Sequence, residues 1–218
     1  MNRFRFTILA VCLVLLILGV TDLNLLFNNP EPAVVDIAAL EAGEVPREWL
    51  TVEGGYWNLE QAISTTGTIE LEAFLIPLRS TPDPDAPIRV IFESNDPQIV
   101  DLLKTYYFAM DSLEQQAEFR EQNKEMFFGQ HQVTAMLVGG LIESGNRDKL
   151  VELARELKMP VDDQVLLLSQ GKEPEQFRGY FFTLIAVLGT LKFIHSALQN
   201  KKKAQGAVEG APAAGDRD

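Results

Sequence analysis

Two apolar runs bracket this chain, each with positive charge on its outer side, and about 150 strongly acidic residues lie between them. The first run follows Arg3 and Arg5. Residues 6–20 carry no charge; Thr21 and Asp22 interrupt, and Leu23, Leu25, Leu26 and Phe27 restore the apolar character. As a helix, residues 6–27 span roughly 33 Å, enough for a hydrocarbon layer of about 30 Å. Asp22 then falls near the far interface, where a charge costs much less than at mid-bilayer. A charged start and an apolar core of this length also fit a cleaved signal peptide. No small-x-small cleavage pattern follows Val20, and the apolar residues continue past it, so a retained signal anchor is expected. Cys12 follows Val11, where a lipoprotein site needs a small residue.

The second run, residues 178–198, precedes Lys201, Lys202 and Lys203. Lys192 interrupts it in its last third, where the ammonium can snorkel to the headgroups while its stem stays apolar. Tyr180 suits the opposite aromatic belt. A helix lying on the membrane, or docked on the domain, is the competing reading. Basic residues set orientation in the positive-inside rule, and here they flank both outer ends. The expected layout is therefore a cytoplasmic N-terminus (1–5), a first span (6–27), an acidic extracytoplasmic domain (28–177), a second span (178–198) and a disordered cytoplasmic tail (199–218). The bacterial inner membrane, with the domain in the periplasm, is the setting this layout fits.

The chain's net charge of −12 understates the domain: residues 28–177 hold 27 Asp and Glu against 11 Lys and Arg, a net of −16. Such a field disfavours nucleic acid and anionic headgroups. The only cysteine lies in the first apolar run, so the domain has no disulfide, and with one histidine and no cysteine it has no zinc site of the usual kind. About 150 residues suffice for one domain held by its own core.

Local patterns predict an α+β domain of about five strands and three to four helices. A short helix is expected at 36–42, and a strand at 49–53 ended by Gly54-Gly55. Asn58 should cap a helix to about residue 64, with Gln61 at the capping-box position. Strands at 68–78 and 88–93 should form an antiparallel pair, with Pro77 marking an edge or an end. Asp96-Pro97 opens a helix, and 114–124 is polar enough to project into solvent. A strand at 132–141, an amphipathic helix at 147–158 (Leu150, Leu153, Ala154 and Leu157 on one face) and a strand at 163–169 complete the domain. The order strand, Gly-Gly, helix, strand occurs twice, which raises a duplicated β-α-β unit beside chance similarity.

Candidate chemistry is thin. Gly54-Gly55 lacks the Lys-Ser/Thr of a phosphate loop. His131 has no nucleophile motif to serve. His195 sits at the inner end of the second run. The pairs Glu70/Glu72 and Asp162/Asp163 are ordinary in so acidic a chain, and Tyr56-Trp57 and Tyr106-Tyr107-Phe108 read as core before they read as a ligand patch. No catalytic, cofactor-binding or metal residue is assigned. The anchor–domain–anchor layout is similar to that of two-span cytochrome-oxidase assembly proteins and of the membrane module of mitochondrial ubiquitin ligases. The likeness is of layout, and no RING cysteines follow the second run. The reading this supports is a non-enzymatic binding, assembly or accessory subunit with a protein partner in a membrane complex and no nucleic acid; the alternatives are a membrane-bound enzyme and a small-molecule or lipid sensor.

Overall fold

In the computed structural model, which describes residues 2–64, 73–138, 152 and 159–209, the chain divides into two units. One joins Met1–Asn28 to Pro174–Asp218; the other is Asn29–Glu173. Helix α1 (Asn2–Asn28) begins the first, its interior free of proline.

The second unit opens with β1 (Ala33–Asp36) and α2 (Ile37–Glu41). Asp36 accepts from the Ala38 N–H at 2.8 Å and so caps α2. Gly43, at φ +87°, supplies the left-handed residue after the helix. Strand β2 (Trp49–Trp57) runs straight through Gly54-Gly55, which the sequence reading took as its end. Gly54 adopts φ +74°, and the pairing register slips between Val52 and Gly55. The glycines make a β-bulge rather than a terminator: the extra residue bends and twists the strand without ending its ladder. Asn58 caps only a single 3-10 turn, Leu59–Gln61. Gln61 donates its amide to the Pro84 carbonyl, and β3 (Ile63–Ser64) follows.

Strands β4 (Phe74–Arg79) and β5 (Ile88–Ser94) form the expected antiparallel pair. Pro77 is not at a sheet edge. It falls where β3 has stopped pairing with β4, at Leu75, and β2 has yet to begin, at Leu78, so no ladder on that side needs its missing N–H. Arg79 is buried and donates from Nε to the Ala86 carbonyl (3.1 Å) and from Nη2 to the Pro84 carbonyl (3.2 Å), which fixes the β4–β5 loop. Desolvation draws its guanidinium below the ordinary value, against the pull of Asp83, Glu41 and Asp85.

Asp96 caps α3 (Pro97–Lys104), with Pro97 in the first turn as predicted. A π turn, Thr105–Ala109, follows, then α4 (Leu113–Gln122) and α5 (Lys124–Phe128). Strands β6 (Gln130–Leu137) and β7 (Val161–Gln170) complete the unit, and Gly171 at φ +73° ends β7.

The described strands number seven, and five of them close on themselves in the order β2–β6–β7–β5–β4–β2. Only β5 and β7 run parallel within that ring. Counted along the ring alone, the order is first, second, third, fifth, fourth, with third and fifth parallel. That is the connectivity of an OB-fold, a five-stranded Greek-key barrel. The bulge in β2 is what permits closure: ahead of it β2 lies between β1 and β6, and beyond it Tyr56 and Trp57 meet Arg79 and Leu78 of β4 where β1 has ended. Consecutive strands β2/β4 and β6/β7 are antiparallel, so neither is a β-α-β crossover, whose strands must be parallel. The predicted helix at 147–158 and the strand ends at 68–72 and 139–141 fall outside the described residues, apart from Glu152.

The core fills the barrel. Leu50 and Val52 of β2, Ile76 and Leu78 of β4, Val90 and Phe92 of β5 are all fully enclosed. Helix α3 turns Ile99, Val100 and Leu103 onto this core, and α5 closes one part of it with Phe127, also fully buried. A second apolar cluster, Leu75, Ile88, Ile91, Val165 and Leu167, is formed by β4, β5 and β7.

Helix α6 (Gln176–Glu209) returns to the first unit. It continues six residues past Lys203, where an irregular tail was expected, because Ala204, Gln205, Ala207 and Glu209 are good helix formers. Two stretches, Thr7–Asn28 and Gln176–His195, are long and apolar enough to cross a membrane.

Candidate functional site

The helix pair is built from small residues. Going up α1 and down α6, Cys12 meets Gly189, Gly19 meets Thr183 and Gly179, and Leu23 meets Gly179, so the helices run antiparallel. A Cβ at Gly19 would lie 2.7 Å from the Thr183 backbone nitrogen, and one at Gly179 would lie 3.0 Å from Asp22 Cβ. Such close backbone approach is how helices associate where no hydrophobic driving force separates protein from solvent. Ala186 is fully buried in the same seam. At the end of the seam Asp22 and Arg178 form a two-pronged ion pair, Nε to Oδ2 at 2.7 Å and Nη2 to Oδ1 at 2.9 Å. The Asp22 side chain is 12% exposed. The one charge inside the first run, which the sequence placed at an interface without a partner, thus has its counter-ion on the other helix. Around the seam the surface is aliphatic and aromatic: Val14, Ile17, Phe181, Leu184 and Leu188 are all exposed.

The seam makes a sharp prediction. An ideal Cβ at Gly189 lies 3.9 Å from Cys12 Cβ, within the range that disulfides require. Cys12 is the chain's only cysteine. Gly189→Cys is expected to cross-link within one chain under mild oxidation, read as a reducible mobility shift on a denaturing gel. A control at Leu188, whose side chain points away from the seam, is expected to stay reduced.

In the barrel domain, the sequence candidates resolve into structure. His131 stands on β6, its ring stacked on Trp57 at 3.7 Å between centroids, and its Nε2 donates to the Glu125 carbonyl at 2.9 Å. Trp57 donates from its indole to the Met126 carbonyl at 2.7 Å and stacks on Phe92. Both rings therefore hold α5 against the barrel. Tyr56 pairs with β6 and β4, and its neighbour Trp57 belongs to the core. Asp162 accepts from Arg89 and from the Gln164 N–H, and that backbone bond is the main cause of its lowered carboxyl pKa. Nothing is described of Glu70, Glu72 or the Asp163 side chain. His195 lies 2.9 Å from the Gln199 side-chain amide, one turn on in its own helix.

Sequence reading missed one cluster. Glu60 receives Arg120 of α4 as an ion pair and the Tyr106 hydroxyl at 3.2 Å, while the Tyr107 hydroxyl donates to the Glu60 carbonyl at 3.2 Å. Gln116 reaches the Tyr106 carbonyl. The Tyr107 phenol is pushed up to about 12, by burial first and then by Tyr106 and Glu60, and Arg120 is raised by its bond to Glu60. No spacing in the sequence joins residue 60 to residue 120; only the barrel does. These bonds occupy the Glu60 carboxylate, so the cluster fixes α4 and the π turn rather than offering a reactive group. An open cavity of about 390 Å³ beside α2 has Arg89 and Asp162 in its wall. They neutralise each other, with Arg89 Nη1 also donating to the Glu41 carbonyl at 3.0 Å.

Among the described residues no three His, Cys, Asp or Glu side chains are grouped to hold a metal. The OB architecture often binds ligands across its second and third strands. Here the described parts of those strands, β4 and β5, turn buried aliphatic residues, Leu75 and Ile91, to the second apolar cluster. No protein-family model, curated protein or solved structure matches this chain.

Proposed function

We propose that the chain is a two-span membrane protein that presents an acidic OB-type barrel outside the cytoplasm as a non-enzymatic binding, assembly or accessory module. The observation that carries the membrane half is the helix pair itself. Its seam is closed by small residues and one ion pair, while its outward face is apolar and uncovered, as a surface meeting lipid chains should be. Basic residues at both outer ends argue for N-in and C-in orientation, and the bacterial inner membrane with a periplasmic domain suits that arrangement. The binding half rests on the three candidate groups of the domain: His131, Asp162 and Glu60 each already serve a structural bond. The net charge of −16 over residues 28–177 turns the OB scaffold away from nucleic acid and toward a protein partner.

The test is purification of the full chain from detergent-solubilised membranes. A stoichiometric protein partner is the expected result. A chain recovered alone, or with a bound small molecule in place of a protein, contradicts the reading.

A further inference from the structure

Helix α4 has no buried residue, and its outward side carries an acidic stripe. Asp111, Glu114, Glu118, Glu121 and Glu125 follow one another at spacings of three, four, three and four, and all are exposed. Glu114, Glu118 and Glu121 lie on one face of α4, with Asp111 just ahead of the helix and Glu125 in α5 beyond it. Like charges at these spacings oppose the helix by a few tenths of a kcal/mol per pair. The two basic residues of the segment do little to relieve it. Arg120 is turned to Glu60, and Lys124 reaches only Glu121, at 3.4 Å.

Beside the stripe stand two large, exposed apolar residues. Phe108 of the π turn is 61% exposed and Leu113, the first residue of α4, is 84% exposed. The turn and α4 are tied together by the Gln116–Tyr106 bond, and Ser112 caps α4 by accepting from the Gln115 N–H at 3.2 Å. The Glu60–Arg120 pair and the edge-on contact of Phe119 with Phe127 fix the inner side of the helix to the barrel. An apolar knuckle and an acidic row are therefore held on one rigid support, which is how rigid elements present a docking surface.

We infer that the outer face of α4, with Phe108 and Leu113 at its head, docks a basic amphipathic segment of a protein partner. This rests on the binding-module reading and names its surface. Charge complementarity selects the occupant. A second copy of the same face, nucleic acid and an anionic lipid surface all bring negative charge to a negative stripe. A segment with lysine or arginine on one face and aliphatic residues beside them satisfies both the carboxylates and the two uncovered side chains, in the manner of helix-in-groove recognition.

The test uses the full chain in neutral detergent micelles and a soluble peptide of about 20 Lys and Leu residues with helical amphipathic spacing, read by fluorescence anisotropy, with a Glu/Leu peptide of the same spacing as control. The triple reversal Glu114→Lys, Glu118→Lys, Glu121→Lys is expected to weaken the Lys/Leu peptide at least about tenfold, and salt raised from about 50 to 500 mM to weaken the wild-type complex comparably. Phe108→Ser with Leu113→Ser is expected to weaken it about fivefold or more at either salt concentration. The reversal Glu44→Lys, Asp101→Lys, Glu173→Lys changes net charge equally at other exposed sites and is expected to leave affinity within about twofold. Equal losses from both reversals, or no loss from the α4 reversal, overturn the inference. Circular dichroism of each variant separates lost binding from lost folding; if the α4 reversal unfolds the domain, the stripe is structural and the inference is wrong. In membranes, a partner that co-purifies with wild type and equally with the α4 reversal refutes this surface and leaves the binding-module reading standing. No partner with wild type refutes that reading itself.

Discussion

Replacing Phe127 by alanine in the isolated domain, Asn29–Glu173, is expected to lower its unfolding free energy by about 3–5 kcal/mol. Phe127 is fully buried and meets Tyr106 edge-on at 5.0 Å and Phe119 at 6.3 Å. A cavity here has little means of collapsing. The α5 backbone is held by the Trp57 indole at Met126 and by His131 at Glu125, so the helix cannot settle inward to fill the space. That restraint puts the expected loss toward the upper end of the range. Glu118→Ala, next to Phe119 in the chain but exposed, should change stability by less than about 0.5 kcal/mol. Urea unfolding followed by tryptophan fluorescence measures both. A Phe127→Ala loss below about 1 kcal/mol would show that α5 does not plug the barrel.

Removing Asp22 should have the largest effect in the helix pair. Asp22→Ala leaves the Arg178 guanidinium beside an apolar seam with its two-pronged partner gone. Breaking a fully buried pair costs about 3–5 kcal/mol; Arg178 is 52% exposed, so about 1–3 kcal/mol is expected here. Arg178→Ala should act in the same direction, because it strands a carboxylate that is only 12% exposed. The double variant Asp22→Ala, Arg178→Ala should be less harmful than the sum of the two, since neither charge is then left alone. Denaturation of the helix pair in mixed micelles reads all three. Strict additivity would mean that the two groups do not support each other across the helix pair.

Much of the fold was legible because local chemistry and tertiary structure agree. Asp96 and Pro97 open α3 as expected, the short helix expected at 36–42 forms with Asp36 as its cap, and Gly43 and Gly171 hold the left-handed positions beyond an element's end. The failures share a cause. Gly54-Gly55 has the composition of a terminator, yet a barrel that closes on its first strand needs a bend inside that strand, and tertiary demand overrode the local signal. Pro77 looks like an edge residue unless one knows that two different neighbours of β4 leave a gap beside it. The doubled strand–Gly-Gly–helix–strand pattern is real in composition, but direction is not written in composition, and both strand pairs proved antiparallel. For the candidate site, the solvent-facing character of α4 could be read from its polar content. Its anchor could not, because Glu60 and Arg120 meet only once the barrel is closed.

In the proposed topology the chain crosses the bilayer twice and displays the barrel on the far side. Reporter fusions in a bacterial host test it most directly: one at the N-terminus, one at the C-terminus, and one after Glu173 in a chain truncated there. A cytoplasmic signal is expected from both termini and an extracytoplasmic signal after Glu173. A cytoplasmic signal after Glu173, or termini on opposite sides, would contradict it.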